Sequence, residues 1–324
     1  MNRNDNNQNV LSYQLDELWE EMGKVIVGRK KELKLILAAL LSEGHVLLED
    51  LPGTGKTTMV KAFSKGLDCL FSRIQCTPDL LPSDVLGASI FNPKTNEFHL
   101  RKGPVFTNIL LVDEINRTLP RTQSSLLECM EERQVSIEGK THMLSSPFIV
   151  LATQNPIEME GTFSLPEAQL DRFLMKLKLG YPTQEEETQI LERVGDEIPY
   201  EDINSKFNPE KIQQLQKQCK DVNIHSSILE YITVLANETR IHPLISIGVS
   251  PRASKALYKV IKAWALLNNR DYVIPDDVKE MVKPVWNHRL ILKTEAHMNN
   301  IESEDILEEI LKKTDVPREK VVCL

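Results

Sequence analysis

The stretch Pro52-Gly53-Thr54-Gly55-Lys56-Thr57-Thr58 stands just after the short apolar run His45-Val46-Leu47-Leu48-Glu49. This order predicts a buried strand that leads into a glycine-rich loop and then into a helix. Glycines let backbone amides curl around anionic oxygens, and the following helix directs the positive end of its dipole at them. The sequence therefore predicts a phosphate-binding loop, and with it a nucleotide site.

Two side chains of this loop have separate predicted tasks. Lys56 would reach the outer phosphates, and the hydroxyl of Thr57 would hold Mg²⁺. The full loop pattern has a glycine where this chain has Asp50, so the loop begins unusually. The predicted nucleotide-binding residues of the loop are Pro52, Gly53, Thr54, Gly55, Lys56, Thr57 and Thr58.

A second motif lies further along the chain, at Asn108-Ile109-Leu110-Leu111-Val112-Asp113-Glu114. An apolar run closed by two acids predicts a buried parallel strand with carboxylates at its carboxyl end, where open α/β sheets bind ligands. We expect Asp113 to support the metal and Glu114 to take a proton from an attacking water. Chance is a poor explanation for two linked motifs at compatible positions.

Composition sets the class of protein. A chain of 324 residues with 41% apolar content is expected to form two domains. No apolar run has the length of a membrane span and the polar start does not resemble a signal peptide, so we expect a cytoplasmic protein without membrane insertion. The five cysteines show no Cys-x-x-Cys spacing, which predicts reduced thiols. A net charge of −8 disfavours binding to nucleic acid.

The order of predicted elements indicates the fold class. Strands and helices alternate between about residues 45 and 178, which predicts an α/β parallel sheet sandwiched by helices. Hairpin insertions are predicted near 88–101 and 134–144, either as surface loops or as contact elements. From 183 to 324 the pattern is helical and predicts a smaller all-α domain; residues 1–12 are predicted as a polar tail before an α/β domain over 13–182.

Two local predictions concern helix ends. Ser12 is a predicted cap of the first helix, and Gly44 is a predicted left-handed cap at the end of the second.

Several short motifs in a fixed order resemble the AAA+ ATPases, which are P-loop NTPases, and within them the MoxR family. The resemblance runs from about residue 15 to 292. The segments Asp113-Glu114-Ile115-Asn116-Arg117 and Ala152–Glu158 closely resemble sequence motifs of that family. The motifs are Val27-Gly28-Arg29, Gly53-Thr54-Gly55-Lys56-Thr57, Val112-Asp113-Glu114, Thr153-Gln154-Asn155-Pro156, Leu170-Asp171-Arg172-Phe173 and Ser250-Pro251-Arg252.

The resemblance assigns roles to further residues. It implies that Asn155 orients the attacking water together with Glu114, and that Arg172 is the finger that reaches the γ-phosphate on a neighbouring subunit. It implies that Arg252 is the sensor of the helical lid, and that Val27 and Gly28 line the adenine. Arg117 and Arg121 are alternative cations for a role between subunits.

The resemblance also implies an activity: Mg²⁺-dependent ATP hydrolysis that remodels, matures or activates a protein client. Such proteins act as homo-oligomeric rings, commonly hexamers, often with a partner that carries a von Willebrand factor A domain. Two other readings stay open. One is a DNA-associated or metal-chelatase-type motor. The other is a slow nucleotide-gated binding module, for which Asp50 in the loop is a hint.

Overall fold

The structure, a computed structural model, describes residues 3–49, 54–154, 161–194 and 200–317, with side chains from residue 11 onward. Within these ranges the strands are β1 (Val46–Glu49), β2 (Phe71–Gln75), β3 (Gly87–Asn92), β4 (Glu97–Lys102), β5 (Ile109–Asp113), β6 (Gln134–Ile137), β7 (Lys140–Met143), β8 (Ile149–Gln154), β9 (Met175–Lys178), β10 (Ile245–Ile247) and β11 (Ile291–Leu292).

Helices surround these strands. They are α1 (Arg3–Val25), α2 (Lys30–Leu41), α3 (Lys56–Gly66), α4 (Pro82–Leu86), α5 (Pro120–Glu132), α6 (Glu167–Leu170), α7 (Gln184–Glu192), α8 (Pro209–Asp221), α9 (Ser226–Ile241), α10 (Pro251–Leu267), α11 (Pro275–Trp286), α12 (Thr294–Met298) and α13 (Ser303–Lys313). None of the helices in the described ranges is long and apolar enough to cross a membrane.

Five strands form the central sheet, in the order β2-β5-β8-β1-β9, and all neighbours are parallel. Strand β5 is buried along its whole length, as expected for a strand covered on both faces. Successive side chains alternate between two apolar cores: Leu48 faces the core shared with α2, α3 and α10, and Leu47 faces the core shared with α5. The predicted α/β sheet sandwiched by helices is confirmed.

The two predicted hairpins form two-stranded antiparallel ribbons outside the sheet. In the first, β3 pairs with β4, and the rings of Phe91 and Phe98 lie opposite each other with centroids 5.3 Å apart. In the second, β6 pairs with β7, and Glu138 and Gly139 turn the chain with positive φ. Both hairpins keep most side chains at least partly exposed.

Three sequence-based predictions about local structure are wrong. Helix α1 begins at Arg3, so residues 3–12 are not a separate tail and Ser12 is not a cap; its hydroxyl instead accepts a hydrogen bond from Asn269 Nδ2 at 2.8 Å. The left-handed residue after α2 is Glu43 (φ 58°), not Gly44. The predicted C-terminal helical lid is confirmed, and its described residues also include one small antiparallel pair, β10 with β11.

The helical region packs directly on the sheet layer. Helices α8 and α10 contact α2, and their apolar side chains belong to the same core as β1 and α3. Lys34 on α2 donates to Asn268 Oδ1 at 2.7 Å just beyond α10, while Ser42 beyond α2 approaches the Lys259 carbonyl at 3.4 Å. The division at residue 183 therefore lies across a shared core, and the boundary between the domains stays a prediction.

Candidate functional site

The predicted phosphate-binding loop joins β1 to the amino end of α3. Asp50, Pro52 and Gly53 lie outside the described residues. Gly55 directly precedes α3 with φ 78°. Among the described residues, no atom lies within 4 Å of a Cβ placed at Gly55, so the left-handed conformation is what favours glycine there.

The first turn of α3 presents the predicted binding side chains. Lys56, Thr57 and Thr58 occupy this turn, which carries no acidic residue. The positive end of the helix dipole thus faces the loop, which favours a bound anion.

Asp113 and Glu114 lie at the carboxyl edge of the same sheet. Asp113 is the last residue of β5 and is only 6% exposed. Thr153 on β8 connects the two acids: its Oγ1 accepts from the Glu114 amide at 2.8 Å and lies 3.4 Å from Asp113 Oδ1. Glu114 adopts φ 57°, an uncommon backbone state for a non-glycine residue.

Strand register brings the motifs to one edge. Leu48 of β1 is level with Thr153 of β8, and Val112 of β5 is level with Ala152. The ends of β1, β8 and β5 therefore meet at the carboxyl edge, where the loop and the two acids converge. Asn155 lies outside the described residues, directly after the end of β8.

Two polar residues of β2 reach the acidic pair and were not predicted. Arg73 Nε lies 2.6 Å from Asp113 Oδ2, and its guanidinium also donates to Gln75 Oε1 at 3.1 Å. Gln75 Nε2 donates to Glu114 Oε2 at 3.2 Å. Arg117 lies 3.2 Å from the same carboxylate oxygen of Glu114. Arg73 and Gln75 lie two residues apart on a strand predicted to lie in the sheet. This spacing places both side chains on the same face, which the sequence alone could have indicated.

Arg172 and Arg252 lie together, away from the loop of their own chain. Glu131 bridges them, with Oε2 3.2 Å from Arg172 Nε and Oε1 3.0 Å from Arg252 Nη2. Asp171 Oδ2 lies 3.6 Å from Arg252 Nε, and Asp171 Oδ1 lies 2.7 Å from Arg289 Nε. We call these three arginines and two carboxylates the arginine cluster.

The arginine cluster lies at the amino edge of the sheet. Arg172 precedes β9, whose first residue, Met175, is level with Val46 at the start of β1. The phosphate loop follows the other end of β1, about 13 Å along the strand at about 3.3 Å per residue. A role of Arg252 beside the loop of its own chain is therefore not supported by this arrangement.

Val27 and Gly28 line a cavity of about 230 Å³ between α1, α2 and α7, together with Trp19, Ile26 and Arg193. Arg193 fixes the cavity wall by donating to the carbonyl oxygens of Gly23 at 3.1 Å and Lys24 at 3.0 Å. Apart from Gln189 and two cations, Lys30 and Arg193, the lining of this cavity is apolar or glycine.

The left-handed backbone of Gly28 favours glycine in this wall, and a Cβ would also have to displace the flexible end of a glutamate side chain. The φ of Gly28 is +67°, and a Cβ there would lie 2.1 Å from Glu186 Oε1.

Comparison with known proteins agrees with these positions. Residues 45–175 match the model of the ATPase family associated with various cellular activities (AAA), and residues 237–310 match the AAA lid domain. The chain is 40% identical to chaperone MoxR1 of Mycobacterium tuberculosis over 93% of this chain and 82% of that protein. The chain belongs to the MoxR family of AAA+ ATPases.

Two other similar proteins match nearly the whole chain. An uncharacterised protein of Bacillus subtilis, YeaC, is 51% identical over 92% of this chain and 93% of its own length. A solved structure from Cytophaga hutchinsonii, described as a proposed ATPase, superposes with a TM-score of 0.91 at 41% identity, covering 97% of this chain and 98% of that one. The sheet layer and the helical lid therefore form an arrangement shared with that solved structure.

Proposed function

We propose that this MoxR-family protein binds ATP with Mg²⁺ at the carboxyl edge of its sheet and hydrolyses the β–γ phosphoanhydride bond. The observation that carries the proposal is the convergence of the α3 amino end, Asp113 and Glu114 at that edge. An anion site and two carboxylates at one edge suit phosphoryl transfer to water, which depends on positioning and charge.

The residues at the edge fit a magnesium ion. The Thr57 hydroxyl and the buried Asp113 carboxylate are hard oxygen ligands of the kind that Mg²⁺ takes in proteins. When bound, the ion would neutralise charge that develops on the phosphate oxygens. Lys56, in the first turn of α3, would hold the outer phosphates.

Glu114 is the proposed general base. Its carboxylate accepts from Gln75 and lies beside Arg117, so the side chain is held in place by hydrogen bonding and charge rather than left free in solvent. From this position it would take a proton from the attacking water, and Asn155, which follows β8, would orient that water with it.

We further propose that each site is completed by a neighbouring subunit. The arginine cluster lies at the amino edge and the loop at the carboxyl edge, so a single chain does not bring them together. A head-to-tail interface joins unlike surfaces of successive subunits, and it closes into a ring when the rotation is right. In such a ring, Arg172 and Arg252 of one subunit would stabilise the γ-phosphate bound by the next.

The proposed work is remodelling of a protein client. The related protein of Mycobacterium tuberculosis is named a chaperone, and the helical lid of this chain shares an apolar core with the sheet layer. A change at the nucleotide site would therefore be transmitted to the lid by direct packing. A hexameric ring and a von Willebrand factor A partner remain predictions from the resemblance, and a cytoplasmic location remains a prediction from the apolar pattern of the sequence.

The test of hydrolysis is Glu114→Gln, which keeps the shape of the side chain and removes the base. We expect ATP to bind with unchanged affinity and turnover to fall by about 10²-fold or more. The matched control is Glu230→Gln, which removes an exposed carboxylate on α9 and should leave turnover unchanged.

Binding by equilibrium titration and phosphate release distinguish the outcomes. Normal turnover in Glu114→Gln would contradict the assignment of Glu114 as the general base. Tight ATP binding with no turnover in the wild type, even after assembly, would instead support a nucleotide-gated binding module. Turnover that rises on adding DNA, with steep salt dependence, would support a DNA motor.

A further inference from the structure

The short turn Asn287–Arg289, which follows α11, packs against the segment that carries Arg172. Arg289 is the main contact: its side chain is only 4% exposed. Its pKa is lowered to about 10 by burial, so it stays protonated at neutral pH. A buried arginine is costly unless its charge and donors find partners, which makes those partners informative.

The Nη2 group of Arg289 donates to the backbone on both sides of Arg172, while Nη1 donates to the Val285 carbonyl oxygen of α11 at 3.1 Å. Nη2 donates to the Phe173 carbonyl oxygen at 2.8 Å and to the Asp171 carbonyl oxygen at 3.2 Å. His288 Nε2 donates to the same Phe173 oxygen at 3.0 Å. The guanidinium thus holds the carbonyl groups of the two residues on either side of Arg172.

The charge of Arg289 goes to Asp171. Arg289 Nε lies 2.7 Å from Asp171 Oδ1 and forms an ion pair with it. The contact is not a hydrogen bond, because the Nε–H does not point at an acceptor. The other oxygen of Asp171 faces Arg252 at 3.6 Å. Asp171 therefore lies between a buried cation and a half-exposed one.

The arginine cluster carries an excess positive charge. Its three arginines face two carboxylates, Asp171 and Glu131. Arg289 is buried and held by backbone carbonyls, so the exposed members, Arg172 and Arg252, carry the charge that is available to an anion. Because the buried Arg289 holds Asp171, the exposed Arg172 and Arg252 could exchange their shared partner Glu131 for a phosphate.

We propose that Arg289 is a positioning residue for Arg172 and Arg252, holding the finger segment by its carbonyls and Arg252 through Asp171. This inference rests on the proposed completion of each site by a neighbour. It also gives a route from the lid to that neighbour, because Arg289 follows α11 and α11 packs on α10, whose first turn carries Arg252. Movement of α11 would shift the finger presented to the next subunit.

The test uses two exchanges at this position. Arg289→Met removes the charge and all donors, and we expect kcat to fall by about 10²-fold, the effect of a misplacement of about 1 Å. Arg289→Lys keeps the charge but loses the planar guanidinium with its several donors, and we expect kcat to fall by an intermediate factor of about 10. ATP affinity should stay unchanged in both, because the loop lies at the opposite edge.

The matched control is Arg270→Lys. Arg270 makes a comparable ion pair inside the lid, with Nη1 2.7 Å from Asp277 Oδ2, and none of its hydrogen bonds reaches residues 171–173. The same exchange there should weaken the lid without lowering kcat. Thermal unfolding of each variant reports any general loss of structure.

Subunit mixing separates positioning from a structural role. Arg289→Met keeps an intact loop, and Glu114→Gln keeps an intact arginine cluster, so an equal mixture should recover activity at about a quarter of the interfaces. A mixture of Arg289→Met with Arg172→Ala, both defective in the cluster, should recover none.

Four results would overturn this inference. The first is a wild-type kcat in Arg289→Met, and the second is a loss of ATP affinity together with kcat in that variant. The third is an equal loss of kcat in Arg270→Lys. The fourth is an inactive mixture of Arg289→Met with Glu114→Gln under conditions in which the mixture of Arg172→Ala with Glu114→Gln recovers activity. If the mixture of Arg172→Ala with Glu114→Gln also stays inactive, the proposed sharing of sites fails first.

Discussion

His45 shows how a single residue ties three elements together. It lies just before β1, is 4% exposed, and accepts from the Val150 amide with Nδ1 at 2.9 Å. Nε2 donates to the Met130 carbonyl oxygen at 2.9 Å, so the neutral ring joins β8 to α5. Burial lowers the pKa of His45 to about 3, and protonation would break the bond to Val150.

The stability of the protein should therefore fall in acid. In the unfolded chain His45 has its usual pKa of 6.5, whereas in the folded chain its pKa is about 3. Between these two pH values the unfolded state binds a proton that the folded state does not. The contribution of His45 to the free energy of unfolding is therefore fully present above about pH 6.5 and is lost as the pH falls toward 3. Burial lowers the pKa of His288 to about 3 as well, so the same window applies to it.

His45→Gln removes one of these titrations. Between pH 6.5 and pH 5 the free energy of unfolding of the wild type should fall by about 1.5 kcal/mol more than that of the variant. Urea unfolding at several pH values measures this difference in slope. Parallel slopes for the two proteins would show that His45 does not titrate in this way.

At the residue scale, local motifs carried the prediction of the site. The loop and the Asp113-Glu114 pair are contiguous, so their chemistry is visible in the sequence. Arg73 and Gln75 were missed because they reach the acids only through pairing of β2 with β5. The partners of Arg252 are distant in sequence, so nothing near it indicated that it lies beside Arg172.

Gly44 shows how two elements set the identity of a residue between them. It connects α2 to β1, and its amide donates to the Ala39 carbonyl at 2.9 Å, after Glu43 has turned the chain. A Cβ on Gly44 would lie 2.3 Å from Leu174 Cδ2 and 2.5 Å from Leu174 Cβ. Close packing against the start of β9, rather than a left-handed backbone, requires glycine here.

Gly44→Ala and Gly23→Ala should therefore change stability in opposite directions. Gly44→Ala overpacks a buried joint and should destabilise the protein by about 1–3 kcal/mol. Gly23 lies within α1, and a Cβ there would meet no atom of the described residues within 4 Å. Gly23→Ala should stabilise by up to about 1 kcal/mol, since alanine favours the helix. Thermal unfolding measures both, and equal effects would contradict the packing argument.

Elements with a strong periodic pattern were predicted well and short or interrupted ones were not. Strands β5 and β8 are apolar runs, so burial alone indicates them. The start of α1 was missed because its asparagine-rich sequence is a poor helix former. Strands β10 and β11 have three and two residues and pair across the whole lid, so no local pattern indicates them.

For the whole molecule, the separation of the two edges of the sheet decides how the protein works. The loop and the acids lie at the carboxyl edge, and the arginine cluster lies at the amino edge. The sequence contains both sets of residues but does not show that they face opposite ways, because the direction follows from how β9 pairs with β1. This separation is why we expect an assembled ring, and not a single chain, to hydrolyse ATP.

The most direct measurement is ATP hydrolysis by an equal mixture of Glu114→Gln and Arg172→Ala. Each variant alone should be inactive, since one lacks the base at every site and the other lacks the finger at every site. In mixed rings about a quarter of the interfaces join an intact loop to an intact finger, so activity should return to about that fraction of the wild-type value. A mixture that stays as inactive as its components, while forming assemblies of wild-type size, would contradict the sharing of sites between subunits.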